Sequence, residues 1–145
     1  MNKEKKPPMI LIVEDDGRLQ RTYFEALTNC FEIIGAYTVG EARQKFKEHF
    51  TSLELVVMDA CVPGSSFNTK PLVEEMRIAG FKGPIMANSN TPYYRELLMK
   101  AGCDIDPLGK DNVPNMIRDY FEKKAPAYAL RPVTNSAPLP DNVPQ

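Results

Sequence analysis

Carboxylates follow two apolar runs of the sequence at equivalent positions. Glu14 and Asp15 come directly after the run Met9–Val13, and Asp59 is the last residue of the run Leu53–Asp59. Both runs are typical of buried parallel strands, whose carboxyl ends carry the ligand sites of α/β proteins. If the two strands are neighbours, three negative charges converge and disfavour one another's ionisation. A divalent cation would relieve this repulsion, and hard oxygen ligands in a partly hydrated site favour Mg²⁺.

A serine and a lysine follow the next two predicted strands. Ser89 comes directly after the run Ile85–Asn88, and Lys110 follows a segment that begins at Cys103. Mg²⁺ beside an aspartate suits phosphoryl transfer, in which Asp59 would act as nucleophile. Ser89 could donate a hydrogen bond to one phosphoryl oxygen, and Lys110 could place a positive charge on another. A helix-entry serine and a solvated surface lysine are the ordinary alternatives, but the shared sheet edge favours the site.

Five apolar segments alternate with five segments of helical spacing, which predicts the framework that positions these residues. The predicted strands are 9–13, 31–37, 53–59, 85–88 and 103–108, and the predicted helices are 17–29, 38–50, 71–80, 91–102 and 112–124. The fifth strand contains Pro107 and two aspartates, so we expect it at a sheet edge. The alternation predicts a doubly wound, flavodoxin-like (βα)5 fold with a five-stranded parallel sheet of order 2-1-3-4-5. In that order strands 1 and 3 are adjacent, at the switch point.

Composition predicts one domain and excludes several classes of function. We expect a flexible leader over 1–8, the domain over 9–124 and a proline-rich disordered tail over 125–145. A formal net charge of −1 argues against a general nucleic-acid or membrane surface. No apolar run reaches the ~18–20 residues of a membrane helix, and the charged N-terminus lacks a signal-peptide core, so we expect a cytoplasmic protein.

The cysteines and the histidine give no sign of a disulfide or zinc site. Cys30, Cys61 and Cys103 are odd in number and widely spaced, which indicates reduced and mostly buried thiols. His49 is the single histidine and has no suitable partners nearby in the sequence for a metal site or a catalytic triad. We therefore expect no disulfide framework, zinc site or catalytic triad from these side chains.

Two motifs together resemble those of response-regulator receiver domains, the phosphoacceptor half of two-component signalling. They are Ile10–Asp16, with its acidic end, and Val57–Pro63, which contains Asp59. The resemblance covers roughly 9–124.

The resemblance implies a role for each candidate residue. Glu14 and Asp15 would bind Mg²⁺, and Asp59 would bind it too and accept the phosphoryl group. The main-chain carbonyl of Cys61 would be a further metal ligand. Ser89 maps to the switch hydroxyl and Lys110 to the lysine typical of the family.

The sequence also departs from the family pattern around this site. The family has Lys-Pro where this chain has Lys110 and Asp111, and the lysine falls one residue late when counted from Gly102, so that Gly109 could occupy its place. Positions 106–108 lack the aromatic switch residue, and Asn90 stands where a small residue is usual. The loop after Pro63 is also about two residues longer than usual. We expect the output face, built in the family from strands and helices 4 and 5, to work differently here.

Tyr93 and Tyr94, at the start of the fourth predicted helix, could supply aromatic contacts on that face. Half-buried packing is the alternative for both.

Four functions are compatible with parts of this pattern. The resemblance implies a non-enzymatic domain that takes a phosphoryl group from a sensor histidine kinase or phosphotransfer protein and then switches contact with a downstream protein. A pseudo-receiver, acting as a phosphorylation-independent docking module, is the main alternative. Many phosphatases with an aspartate nucleophile need a second aspartate two residues later as general acid, and Cys61 stands at that position here. A flavodoxin would place its phosphate on Glu14, Asp15 and Asp16, which would repel it.

Overall fold

The computed structural model describes residues 6–122. The predictions for most of the leader, for 123–124 of the last helix and for the tail lie outside those residues. The strands are β1 Met9–Val13, β2 Glu32–Ala36, β3 Leu53–Asp59 and β4 Ile85–Asn88. The helices are α1 Gly17–Leu27, α2 Val39–His49, α3 Lys70–Ile78, α4 Pro92–Ala101 and α5 Val113–Phe121, and a 3-10 turn, Lys110–Asn112, precedes α5. None of the helices in this range is long and apolar enough to cross a membrane.

The sheet is parallel and has the order β2-β1-β3-β4. Val13, the last residue of β1, pairs with Ala36 of β2 and with Met58 of β3. At the end of β3, Asp59 pairs with Asn88 of β4. The carboxyl ends of these strands are therefore level, and the predicted doubly wound parallel fold with β1 beside β3 is confirmed.

The predicted fifth strand is reduced to a single bridge in the described part of the chain. The segment runs parallel to β4 at the expected edge, where Met86 and Ile105 form an isolated bridge and Ala87 N donates to Ile105 O at 2.8 Å. At one end the Asp104 carboxylate, rather than a main-chain carbonyl, accepts the N–H of Ile85 at 2.7 Å. At the other end Pro107 has no N–H to donate. Side-chain competition and a proline therefore shorten this strand.

The sheet separates two apolar layers. Leu11 and Val13 of β1 face the layer that includes α2, α3 and α4, whereas Ile10 and Ile12 face the layer that includes α1 and α5. This alternation follows from the two-residue period of a strand, and burial on both faces explains the continuous apolar run.

Side-chain caps fix where the first two helices begin. The Asp16 carboxylate accepts the N–H groups of Arg18 and Leu19 at the start of α1, and Thr38 Oγ1 accepts that of Glu41 at the start of α2. The first cap places α1 directly after the acidic loop.

Gly83, just before β4, is expected to tolerate no side chain. A Cβ there would lie 2.7 Å from Phe81 Cζ and 2.9 Å from the Glu54 carbonyl oxygen. Phe81 is itself buried, so Gly83→Ala should lower the free energy of unfolding by about 1–3 kcal/mol through overpacking, measured by urea denaturation. Gly17→Ala is the control, because a Cβ at Gly17 has no atom within 4 Å. Equal stability of the two variants would contradict the expected clash.

Candidate functional site

Three carboxylates meet where β1 and β3 end. One oxygen from each of Glu14, Asp15 and Asp59 lies within 4.8 Å of the others. Glu14 is fully buried and Asp59 is 5% exposed, whereas Asp15 is half-buried and accepts the N–H of Gly64 at 3.1 Å. The strand pairing therefore brings together the acidic residues that the sequence singled out.

Three donors contact the buried carboxylate of Glu14. Its oxygens accept from Lys110 Nζ at 2.8 Å, from Asn88 Nδ2 at 2.9 Å and from Asp16 N at 3.0 Å. Tyr23 orients Asn88, because its hydroxyl donates to Asn88 Oδ1 at 2.9 Å. A buried carboxylate is tolerated only with such partners.

Sequence reasoning missed both Asn88 and Tyr23. Asn88 ends β4 and could have been found by the strand-end rule that identified Asp59. Tyr23 looked like an ordinary inward-facing helix residue, and no sequence signal marked its hydroxyl.

Lys110 reaches the acidic cluster despite its late position in the sequence. Its Nζ lies 2.8 Å from Glu14 Oε1 and 3.4 Å from Asp59 Oδ2. The loop before Lys110 accommodates the one additional residue, because Leu108 (φ 71°) and Gly109 (φ 151°) have positive φ angles. The Lys110 main-chain N–H donates to Asn90 Oδ1 at 2.8 Å, which ties this loop to the one after β4. Lys110, and not Gly109, thus supplies the group at the site.

Burial and repulsion change the protonation of the cluster. Desolvation, followed by repulsion from Glu14, raises the pKa of Asp59 from 3.8 to about 7, although Lys110 opposes the change. Burial alone would lower the pKa of Lys110, but its bonds to Glu14 and its attraction to Asp59 outweigh burial and raise that pKa. Three carboxylates thus face a single ammonium group, so negative charge is in excess at the site.

The donor set fits a hard divalent cation. Three carboxylate oxygens lie close together, and two of the three side chains are buried. Carboxylate oxygens are ligands that Mg²⁺ prefers. Desolvation and the nearby Asp59 raise the pKa of the Cys61 thiol, which keeps it neutral and unsuited to binding a soft metal. The metal role of the Cys61 carbonyl stays a prediction.

Ser89 is buried directly after β4. Its Oγ accepts the N–H of Thr91 at 3.0 Å, and its carbonyl accepts from Arg95 Nη1 at 3.0 Å. The preceding residue, Asn88, donates to Glu14. Ser89 is therefore next in sequence to a residue that contacts the acidic cluster.

Solved structures of similar shape include several receiver domains. A CheY-like response-regulator receiver domain from Methanospirillum hungatei is 20% identical with a TM-score of 0.67, over 82% of this chain and 94% of that chain. A structure of the CheX–CheY–BeF3–Mg complex from Borrelia burgdorferi is 20% identical with a TM-score of 0.65, over 80% of this chain and 90% of that chain. The chain has the fold of a response-regulator receiver domain.

The N-terminal domain of an uncharacterized protein from Wolinella succinogenes has a similar shape, at 21% identity and a TM-score of 0.67, over 81% of this chain and 92% of that chain. No protein-family model matches the sequence, and no curated protein sequence matches it. The resemblance to receiver domains therefore rests on shape and on the motifs of the site.

The two tyrosines at the start of α4 differ in their surroundings. Tyr94 is half-buried, stacks on Phe67 with ring centroids 5.9 Å apart, and donates to Ser65 O at 3.1 Å. Tyr93 is 62% exposed. Tyr94 thus packs against the long loop that follows β3, and Tyr93 remains available as a surface aromatic residue.

Proposed function

We propose that this chain is a phosphoacceptor signalling domain. It takes a phosphoryl group from a sensor histidine kinase or a phosphotransfer protein onto Asp59, with Mg²⁺, in the cytoplasm. The phosphorylated form then changes its contact with a downstream protein. The observation that supports this most is the approach of Lys110 Nζ to both Glu14 and Asp59 beside a three-carboxylate cluster.

Asp59 is the nucleophile in this proposal. One of its carboxylate oxygens forms a bond to phosphorus while the bond from phosphorus to the donor histidine nitrogen breaks. The electron pair of the broken bond stays on the imidazole, which takes up a proton. Mg²⁺, held by Glu14, Asp15 and Asp59, would neutralise negative charge on the phosphoryl oxygens.

Lys110 and Ser89 complete the site by contacting the transferred group. Lys110 Nζ lies 3.4 Å from Asp59 Oδ2. Its positive charge would therefore be next to the oxygens of a phosphoryl group on Asp59. Ser89 supplies a hydroxyl donor at the end of the neighbouring strand. These residues assist phosphorylation and dephosphorylation of the chain's own Asp59, so we do not propose an enzyme that acts on a separate substrate.

A pseudo-receiver is the second candidate, and one contact favours it. Lys110 lies closer to Glu14 (2.8 Å) than to Asp59 (3.4 Å), so it offsets part of the cluster's negative charge without a metal. Such a domain would dock a partner whether or not Asp59 is modified. The intact set of Glu14, Asp15 and Asp59 favours the phosphoacceptor instead.

The test is intact mass after incubation with acetyl phosphate, with Mg²⁺ and with EDTA. We expect one added phosphoryl group per chain that requires Mg²⁺, is lost with hydroxylamine, and maps to Asp59 after borohydride reduction. Mg²⁺ binding measured by calorimetry without any mass gain would support the pseudo-receiver. A phosphoryl group on another residue would contradict the assignment of Asp59.

A further inference from the structure

A buried ion pair connects the loops that carry Ser89 and Lys110. Arg95 lies on α4 with a side chain 3% exposed, and its Nε is 2.8 Å from Oδ1 of Asp106, whose side chain is 9% exposed. The N–H of Arg95 Nε makes no hydrogen bond, so this contact is ionic and not well aligned. Asp106 belongs to the segment where the family pattern places an aromatic residue.

Each partner of the ion pair holds one side of the site. Arg95 Nη1 donates to the carbonyl of Ser89 at 3.0 Å. Asp106 Oδ1 accepts the N–H of Leu108 at 2.8 Å. Leu108 has φ 71°, a conformation that costs leucine about 1–2 kcal/mol, and it begins the turn that leads to Lys110.

Stability alone does not account for this ion pair. Burying two charges is expensive, and replacing such a pair with apolar residues of similar size is often neutral or stabilising. What an apolar pair could not do is hold the Ser89 carbonyl and the Leu108 N–H in fixed positions. The pair therefore has a geometric effect that hydrophobic packing would not reproduce.

We propose that Arg95 is a positioning residue, which fixes Ser89 directly and fixes the loop that delivers Lys110 through Asp106. This inference rests on the proposed phosphoacceptor function. Arg95 does not touch the reacting atoms. It sets the place of the hydroxyl that meets the phosphoryl group and of the turn before the lysine.

The test uses the double variant Arg95→Met with Asp106→Leu, which replaces the ion pair by apolar side chains. We expect the melting temperature to stay within a few degrees of the wild-type value and the Kd for Mg²⁺ to change less than about twofold, because the carboxylates are intact. The rate of Asp59 phosphorylation by acetyl phosphate at saturating Mg²⁺ should fall about tenfold, the effect of one misplaced hydrogen bond.

Ser89→Ala separates positioning from general structural support. If Arg95 acts partly through Ser89, the double variant should slow Ser89→Ala by a smaller factor than it slows the wild-type protein. The loss through Ser89 has then already occurred, and only the loss through the Lys110 loop remains. Arg95→Lys serves as a second variant should the double variant unfold. Arg95 contacts Asp106 and the Ser89 carbonyl through two different nitrogens, whereas lysine has only one, so a loss of rate is again expected.

A wild-type rate in the double variant or in Arg95→Lys would overturn the positioning role and leave the proposed function standing. Fully additive losses with Ser89→Ala would also overturn it. Absence of any phosphorylation in the wild-type protein would overturn the proposed function and the positioning role together.

Discussion

The Asp59→Asn variant is expected to gain no phosphoryl group from acetyl phosphate and, without Mg²⁺, to be more stable than the wild-type protein above neutral pH. The loss of phosphorylation follows because an amide oxygen at this position is a poor nucleophile and carries no charge. The gain in stability follows because the substitution removes one of three converging negative charges, two of them on buried side chains.

The pH range of this effect follows from the pKa of Asp59. Burial and Glu14 raise that pKa from 3.8 to about 7 in the folded protein. Between these values the folded state binds more protons than the unfolded state, so the stability of the wild-type protein falls as pH rises from about 4 to about 7. The variant lacks this contribution, and the difference between them should reach roughly 2–4 kcal/mol at about pH 8.

Urea denaturation in EDTA at a series of pH values measures the difference, and intact mass measures phosphorylation. Asp119→Asn on α5 is the matched control and should keep both phosphorylation and the pH dependence of the wild-type protein. Saturating Mg²⁺ should reduce the stability difference, because the cation stabilises the ionised carboxylate of the wild-type protein. If the stabilities of the variant and the wild-type protein differ by the same amount at every pH, the pKa of Asp59 is not raised in the folded protein.

Lys110→Met is expected to destabilise the metal-free protein by about 2–4 kcal/mol at neutral pH, because it leaves Glu14 buried without its cationic partner. Mg²⁺ should restore most of the loss and should bind the variant more tightly than the wild type, since Lys110 no longer competes for Glu14. Phosphorylation of Asp59 should slow because the charge beside its Oδ2 is gone.

Denaturation with and without Mg²⁺, together with calorimetry of Mg²⁺ binding, measures these effects. Lys100→Met, an exposed lysine in the last turn of α4, is the control and should change stability by only a few tenths of a kcal/mol. If both lysine variants behave alike, Lys110 does not neutralise the cluster. If Mg²⁺ affinity falls in Lys110→Met, the lysine supports the metal site and does not compete with the metal.

The parts of the site that depend on strand order could be predicted from the sequence. Leu53–Asp59 has the predicted bounds as β3, and its pairing with β1 places Asp59 beside Glu14 and Asp15. An apolar run and a terminal carboxylate are local signals, and the parallel topology follows from the alternation of strands and helices. Few arrangements of such elements are possible, so the convergence of the acidic residues could be predicted.

The loop before α5 could not be predicted in the same way. Counting from Gly102 left open whether Gly109 or Lys110 meets the acidic cluster, because the count does not show which residues adopt positive φ. Asn90 stands where a small residue is usual, and nothing in the sequence indicated that its amide oxygen accepts the N–H of Lys110. The ion pair of Arg95 with Asp106 could not be predicted either, since a charged residue on a helix is ordinarily exposed. These contacts join residues distant in sequence and depend on tertiary packing.

The contacts around Glu14 join parts of the chain that are made at very different times. Lys110 follows Glu14 by 96 residues and Asn88 follows it by 74, whereas Asp59 belongs to a strand that pairs directly with β1. Closing such long loops is entropically unfavourable, and pairings of this kind form late in folding. During synthesis the acidic residues therefore emerge and can assemble before the lysine that neutralises them exists. The charge balance of the buried site thus depends on completion of the sheet and on docking of its C-terminal segment.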